Sequence, residues 1–347
     1  MNKLNHSHFK WLDKQIKKDI IQVMRCNNMK KFKVVSLFCG AGGLDLGLEA
    51  TGKFQTVFAN DMDKDACKTF SKWSDAIVVP GKVENISADE IPDDIDIVTG
   101  GFPCQGFSAA GPRQALDVRN KLYLELCRVV EAKQPIGFLA ENVKGLTTME
   151  DGLILKKIVE DFSSKGYNLY HQVLNAADYQ VPQDRERVIL VGIRQDIDKG
   201  FEFPEPTGRI TLREAIGHFP EPNSNDVCQD PYSSRYMSRN RKRDWDKVSY
   251  TIPAMAKQVT LHPSSPDMTK LERDLWKFGE GTTRRFSWQE AAAVQTFPES
   301  LVFEGDLTSK YKQIGNAVPP KLAEAVGYKF AEALEKAIER EKTKVVI

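Results

Sequence analysis

Four groups of residues in this chain are of types that could do covalent or proton chemistry. The first is the stretch Thr99-Gly100-Gly101-Phe102-Pro103-Cys104-Gln105-Gly106-Phe107-Ser108. Ile95, Ile97 and Val98 before it read as the end of a buried strand, and two glycines and a proline end that strand abruptly. A cysteine delivered there is a nucleophile if its surroundings favour the thiolate, or else a small buried residue after a strand. The second group is Glu141-Asn142-Val143, at the end of an apolar run Ile136–Ala140 that reads as a strand. Its carboxylate suits protonation chemistry, or caps a following helix.

In the third group, Gln183-Asp184-Arg185-Glu186-Arg187 leads into Val188–Gly192, so one strand over 183–192 would put Arg185 and Arg187 on one face. Two guanidiniums pointing one way bind an anion or a polar ring, or form a surface ion-pair ladder. The fourth is Cys39-Gly40-Ala41-Gly42-Gly43, between a strand at Lys33–Phe38 and a helix start. Such a turn brings backbone N–H groups to a ligand. Its spacing, Gly40-x-Gly42-Gly43, is not the dinucleotide GxGxxG, which argues against a nicotinamide cofactor. A second strand, Thr56–Ala59, ends at Asn60-Asp61. An acid there, about twenty residues after the glycines, holds a ribose diol, caps the next helix, or does both.

The elements needed to position these groups are a sheet of mostly parallel strands with helices between them. Helices are expected over Leu122–Lys133, around 152–165 and over 321–341, with a strand at Tyr170–Leu174 and a Ser287-x-x-Glu290 capping box opening another helix. Residues 105–121 form a polar, glycine-containing loop. From Phe203-Pro204-Glu205-Pro206 the texture changes to short apolar runs rich in Pro, Ser, Asn and Arg, as in a small irregular second domain.

Composition excludes several classes. The 347 residues carry 49 basic against 48 acidic side chains, so no global field marks a nucleic-acid partner. Charge is nevertheless clustered. Residues 1–33 hold nine Lys and Arg against Asp13 and Asp19, and residues 235–247 hold six against Asp244 and Asp246. The first cluster lies on an amphipathic helix over 8–24, either packed on the body or touching DNA or a partner. The second, in Met237-Ser238-Arg239-Asn240-Arg241-Lys242-Arg243, could read guanine edges or touch phosphates only. Six cysteines without CxxC spacing make a disulfide framework or a zinc site an unsuitable reading, and no metal is expected. No apolar run approaches membrane-spanning length, so a cytoplasmic protein is expected.

Taken in order, FCGAGG, GGFPCQGFS, AENVKG, QDRERV, RRFSWQEAAAVQTFP and YKQIGNAVPP resemble the motifs of the DNA (cytosine-5)-methyltransferases, from Val34 to the last helix, interrupted at 204–282. The resemblance implies an α/β, S-adenosylmethionine-dependent methyltransferase fold (Rossmann-like, mostly parallel sheet) with a smaller irregular target-recognition domain. It divides the chain into a basic helical extension (1–28), a catalytic domain (29–203 plus 311–347), a recognition domain (204–282) and a hinge (283–310). It makes Cys104 the nucleophile at cytosine C6, Glu141 the group at N3, Arg187 the contact to O2 and Arg185 a positioning group. S-adenosylmethionine would be held by Phe38, Gly40, Gly42, Gly43, Asp61, Met62, Val83, Pro103, Leu122, Asn316 and Val318. Lys82 stands where many relatives have an Asp that binds the adenine amino group, which points that contact toward backbone groups.

Ser108, Arg239, Arg241, Arg243 and Lys257 would contact double-stranded DNA, with loop 105–121 closing over a flipped base. The run MSRNRKRDW…YTIPAMAKQVTLHPSSPDM resembles the recognition domain of the GGCC-specific bacterial members, with Ala256-Lys257-Gln258 where Gly-Arg-Gln is expected. A monomeric, nucleoid-associated bacterial enzyme is implied, with a cognate restriction endonuclease as functional partner. The alternative within this fold, a tRNA cytosine-5 methyltransferase, is opposed by the Arg-rich recognition segment. A non-enzymatic DNA-binding regulator on a decayed scaffold is opposed by the intact Cys104, Glu141, Arg185 and Arg187.

Overall fold

The computed structural model describes residues 31–102 and 122–344. The expected helix at 8–24, the turn at Pro103-Cys104, Ser108 and the loop 105–121 lie outside them.

The first half alternates strand and helix: β1 (Phe32–Leu37), α1 (Gly43–Ala50), β2 (Phe54–Asp61), α2 (Lys64–Phe70), β3 (Ile77–Pro80), β4 (Ile97–Gly100), α3 (Leu122–Lys133), β5 (Gly137–Val143), α4 (Leu153–Ser164) and β6 (Tyr167–Asn175). Two more strands follow, β7 (Gln183–Asp184) and β8 (Glu186–Arg194). Seven of these strands form one sheet in the order β3-β2-β1-β4-β5-β8-β6. Neighbours from β3 to β5 are parallel, and β8 runs antiparallel to both β5 and β6. The sheet is thus mostly parallel and doubly wound, as the sequence reading expects. The chain reverses its order between β1 and β4, and ligands in such sheets bind beyond the strand ends at that crevice.

Val34, Val35, Ile97, Val98, Phe138 and Leu139 are fully buried because both faces of these central strands are covered. One face packs on α1 and the last helix, Pro320–Lys344. The other packs on α3 and α4 through Leu126, Val129, Ile158 and Phe162.

The second half holds α5 (Leu212–Ile216), β9 (Ser249–Tyr250), the hairpin β10 (Thr269–Glu272) and β11 (Leu275–Lys277), then α6 (Trp288–Val294), α7 (Leu307–Asn316) and α8 (Pro320–Lys344). Residues 204–285 are mostly irregular backbone with short turns. The capping box forms: Ser287 Oγ accepts from Glu290 N while Glu290 Oε2 accepts from Ser287 N at 2.8 Å. Helix α8 returns to the sheet and crosses α1 closely. At Gly47 a Cβ would overlap the Pro320 carbonyl and Ala323, so the small residue sets that approach.

One expectation changes. The strand foreseen over 183–192 is broken at Arg185. Asn175 Oδ1 accepts from Arg185 N at 3.1 Å and Arg185 O accepts from Ala176 N at 2.9 Å. These bonds bend the chain, so Gln183 and Asp184 pair in parallel with Ser249 and Tyr250 instead of continuing β8.

Candidate active site

A cavity of about 850 Å³ opens at the carboxyl ends of β1 and β4. Its first wall is the turn after β1. Phe38 takes φ +54°, an uncommon left-handed conformation for an aromatic residue, which aims the following backbone into the cavity. Asp61, at the end of β2, grips this turn: its Oδ2 accepts from Gly40 N at 2.9 Å and its Oδ1 from Asp63 N at 2.8 Å. Burial raises the Asp61 carboxyl above its ordinary value, against the pull of these two backbone donors. The helix-capping role considered for Asp61 belongs instead to Asp63, which accepts from Asp65 N and Ala66 N at the start of α2.

The glycines divide by role. Gly40 lines the cavity with φ +55°, and a Cβ there would meet nothing within 4 Å. Gly42 (φ +86°) is required by packing, since a Cβ would overlap the rings of Trp73 and Phe70. At Gly43 a Cβ would strike the Val318 carbonyl, so this glycine lets α1 approach the segment before α8.

Met62, 69% exposed, stands at the cavity mouth, with the buried Val83 and the half-buried Leu122 farther round. Lys82 is exposed and lines the same wall, in the turn held by Asn60 Nδ2, which donates to Val79 O and Gly81 O. Asn316 and Val318 close the wall from the α7–α8 side. Lys312 adds a tie across the mouth, its Nζ 2.7 Å from Asp63 Oδ2.

The polar end of the cavity is made by β5 and β8. Glu141 is opposite Ile189, and Arg187 is opposite Val143, so the two side chains are diagonal neighbours on one face. Arg187 Nε lies 2.8 Å from Glu141 Oε1, with both side chains nearly buried. Glu141 therefore serves as an ion-pair partner inside a strand, and the helix-capping alternative falls. Its Oε1 receives no aligned hydrogen bond from the described residues, so the pair is a charge contact with acceptor capacity to spare. Asn142 Nδ2 donates to Phe102 O at 3.1 Å, tying the end of β5 to the residue before Pro103.

Arg185 differs from its neighbour. It is 2% exposed, and its guanidinium donates to Gly315 O (3.1 Å), Ala317 O (2.9 Å) and Ile252 O (3.5 Å). Burial, then the nearby Arg187 charge, hold it well below its ordinary value. The break at Arg185 takes it out of the alternation of β8, yet Arg185 and Arg187 both line the cavity beside Glu141. Arg185 braces the 315–317 wall against residue 252.

Two groups escaped the sequence reading. Asp45, in the first turn of α1, is fully buried beneath the glycine turn and accepts from Ser36 Oγ at 3.0 Å and Thr56 Oγ1 at 3.2 Å. Burial pushes its carboxyl up to about 7. Gln183 and Gln295, both fully buried, meet at 2.8 Å, and Gln295 Nε2 donates on to Ile314 O at 2.6 Å. Gln183 Oε1 accepts from Ile252 N, so this amide pair joins β7, α6 and α7 to the irregular region. Neither group stands out in sequence because an isolated Asp or Gln has no period or spacing to mark it.

Residues expected at DNA are placed unequally. Arg239 and Lys257 are exposed. Arg243 is half-buried, stacked 4.1 Å from the Tyr250 ring centroid and 3.3 Å from Asp184. Arg241 is 4% exposed and donates to Tyr236 O, Arg235 O and Gln258 Oε1. The expected DNA contact by Arg241 is therefore corrected: the guanidinium points inward and holds the segment together.

The chain matches the family model for C-5 cytosine-specific DNA methylase over residues 32–332. It belongs to this family. Among curated proteins, this methylase is 40% identical to the Type II methyltransferase M.BspRI of Lysinibacillus sphaericus, over 87% of this chain and 82% of that one. It is also 40% identical to the Type II methyltransferase M.MthTI of Methanothermobacter thermautotrophicus, over 87% and 98%. Among solved structures it superposes on the Entamoeba histolytica methyltransferase EhMeth with a TM-score of 0.66 at 16% identity, over 90% of this chain and 99% of that one. That last likeness speaks for the fold. A methylase needs a methyl donor, and the wall from Phe38 to Met62 fits one: Gly40 faces open space, an acid holds the turn, and an exposed thioether stands at the mouth. Among the described residues no group of His, Cys, Asp and Glu is placed to hold a metal, and no helix is long and apolar enough to cross a membrane.

Proposed function

We propose that this methylase transfers a methyl group from S-adenosylmethionine to C5 of cytosine in a specific double-stranded DNA sequence, as the modification half of a restriction–modification system. The observation that carries the reading is the shared cavity: the Glu141–Arg187 pair stands in the same hollow as Phe38, Gly40, Asp61 and Met62. A nucleoside-type donor and a flipped base would meet there.

S-adenosylmethionine supplies a methyl group made electrophilic by its sulfonium. Phe38, Gly40, Asp61, Met62, Val83, Leu122, Asn316 and Val318 would hold it, with Pro103. Cytosine C5 is a poor nucleophile until the Cys104 thiolate adds to C6 and converts the ring to an enamine. Glu141 hydrogen-bonds N3 and lowers the cost of the charge that develops, and Arg187 holds O2 while keeping Glu141 in place. Transfer would leave S-adenosylhomocysteine, and a water molecule acting as base would take the C5 proton as the thiolate is expelled and the proton shared at N3 returns to Glu141, which restores the aromatic ring and frees Cys104. Ser108 contacts a phosphate beside the flipped base, while Arg239, Arg243 and Lys257 face the duplex.

GGCC, or a related guanine-rich palindrome, is the proposed target, supported by the run from Met237 to Met268. The parts divide at 28/29, 203/204, 282/283 and 310/311 into a basic extension, a catalytic part that resumes at 311, a recognition part and a hinge. The enzyme acts as a cytoplasmic monomer whose functional partner is a cognate restriction endonuclease.

Bisulfite sequencing of plasmid from cells expressing the chain tests the substrate and the target together. Methylation of tRNA alone, with none in duplex DNA, would sink the reading. Duplex DNA carrying 5-fluorocytosine at the target should form a stable covalent adduct, absent in Cys104→Ala. An adduct that survives this substitution removes Cys104 from the nucleophile role.

A further inference from the structure

Beyond the catalytic cavity, the irregular region presents an exposed acid–base pair above a buried, hydrogen-bonded support. Lys257 Nζ lies 3.5 Å from Asp230 Oδ2, with side chains 64% and 47% exposed. Such a surface pair contributes roughly 0–1 kcal/mol, too little to explain the support beneath it.

That support consists of two buried arginines that both pack on one tyrosine. Arg285, 2% exposed, donates from Nη1 to Cys228 O at 2.8 Å and Asp230 O at 2.9 Å, fixing the backbone that carries the acid. Arg241 donates from Nη2 to Gln258 Oε1 at 2.8 Å, fixing the turn that carries the lysine. Their guanidiniums lie 5.1 Å and 4.7 Å from the Tyr236 ring centroid, and the Tyr236 hydroxyl donates to Val259 O. Among the described residues neither guanidinium is ion-paired to a carboxylate. Two buried cations are thus committed to holding two surface loops in fixed relation, the arrangement a recognition site requires.

The pair is also tethered near the catalytic cavity. Ile252 is bonded to Arg185 and Gln183, and Gly315 on the cavity wall is packed against Pro253 and Ala254. Lys257 follows Ile252 by five residues, a reach of at most roughly 17 Å. At about 3.4 Å per base-pair step this is within about five steps of the residue 252 anchor.

An acid at a DNA surface repels phosphate and is suited to a base edge that offers an amine. Lysine donates to guanine O6 or N7, and aspartate accepts from cytosine N4. Resting on the DNA-methylation reading above, we infer that Asp230 is a specificity-determining residue that acts with Lys257 to read a single G·C base pair, guanine on the lysine side and cytosine on the aspartate side. The Cys228 thiol, 3.6 Å from Asp230 Oδ2, leaves the carboxylate's acceptor character intact.

The test compares kcat/KM on duplexes carrying each single base-pair change across the site found by bisulfite sequencing, for the full chain and for Asp230→Ala, Lys257→Ala and the double variant. Each single variant should lose roughly 5- to 150-fold of discrimination, at the same one base pair. The double variant should lose no more than the larger single effect, since the two groups read one pair. Melting temperature and S-adenosylmethionine binding should stay at wild-type values; if either falls, Asp230→Asn and Lys257→Met, which keep side-chain bulk, decide in the same assay. Unchanged discrimination at every position overturns the inference, as do losses at two different base pairs. Uniform losses across sequences with a shallower salt dependence also overturn it, by making both residues part of a phosphate-contacting surface. A wild-type chain that methylates no DNA defeats the function reading itself, and is seen before any variant is made.

Discussion

Arg187 Nε and Glu141 Oε1 meet at 2.8 Å across antiparallel strands β5 and β8, diagonal in register and nearly buried. The two members of the pair should respond differently to substitution. Glu141→Gln keeps shape and one acceptor oxygen but can neither hold nor give up a proton at N3, so single-turnover methylation should fall by about 10²- to 10⁴-fold, and the unpaired Arg187 guanidinium should lower unfolding free energy as well. Arg187→Ala leaves the Glu141 carboxylate buried without its cation and should cost about 3–5 kcal/mol in urea unfolding. Unchanged single-turnover methylation in folded Glu141→Gln would mean that the carboxylate serves only the fold.

The contrast between Gly40 and Gly42 separates ligand approach from packing. Both have positive φ, so Ala at either position carries backbone strain of about 1–3 kcal/mol. At Gly40 the methyl enters open cavity, whereas at Gly42 it overlaps the Trp73 and Phe70 rings. Gly40→Ala should therefore show weakened donor binding by calorimetry, with unfolding lowered only by the strain. Gly42→Ala should be the less stable of the two, because core overlap adds to the same strain. A more stable Gly42→Ala would refute the packing assignment.

How far the sequence reveals this site follows from the physical range of each signal. Strands β1, β4 and β5 are legible because both their faces are buried, which writes continuous apolar runs, and α3 ends at Lys133, where its periodicity does. Glu141 and Asp61 are legible because strand ends in such sheets point at ligands. The inward turn of Arg185 is not legible: alternation along 183–192 is the same whether or not the strand breaks, and the break depends on Asn175, ten residues earlier in sequence and beside Arg185 only in the fold. Arg241 misleads for a related reason. A basic run looks solvated, yet one of its members packs on Tyr236 and satisfies backbone carbonyls. Tertiary partners, absent from any local window, decided both cases.

The Gln183–Gln295 pair joins the strand before Arg185 to the helix that follows the irregular region. Replacing Gln295 with Leu leaves the buried Gln183 amide donor without its acceptor, while the Ile314 carbonyl keeps the Ala317 N–H. The expected cost is about 1–3 kcal/mol by urea unfolding. Gln183→Leu should cost a similar amount, and the double variant less than the sum, because the second change removes a group the first left unpaired. Additive losses would show that each amide acts alone.

Asp45 gives a pH dependence whose sign is fixed by its environment. Burial raises its carboxyl in the folded chain to about 7, whereas an unfolded chain titrates near 3.8. Between these values the folded state binds the extra proton, so stability is greatest below the lower value and declines as pH rises toward 7. A shift of this size corresponds to about 4 kcal/mol at full effect. Asn at this position has no proton to lose and retains an acceptor for Ser36 Oγ or Thr56 Oγ1. In urea titrations from pH 4 to pH 8, Asp45→Asn should show a flatter decline than the wild type and overtake it near neutrality. Parallel curves would mean that Asp45 stays ionised in its buried site, with the Ser36 and Thr56 hydroxyls satisfying the charge.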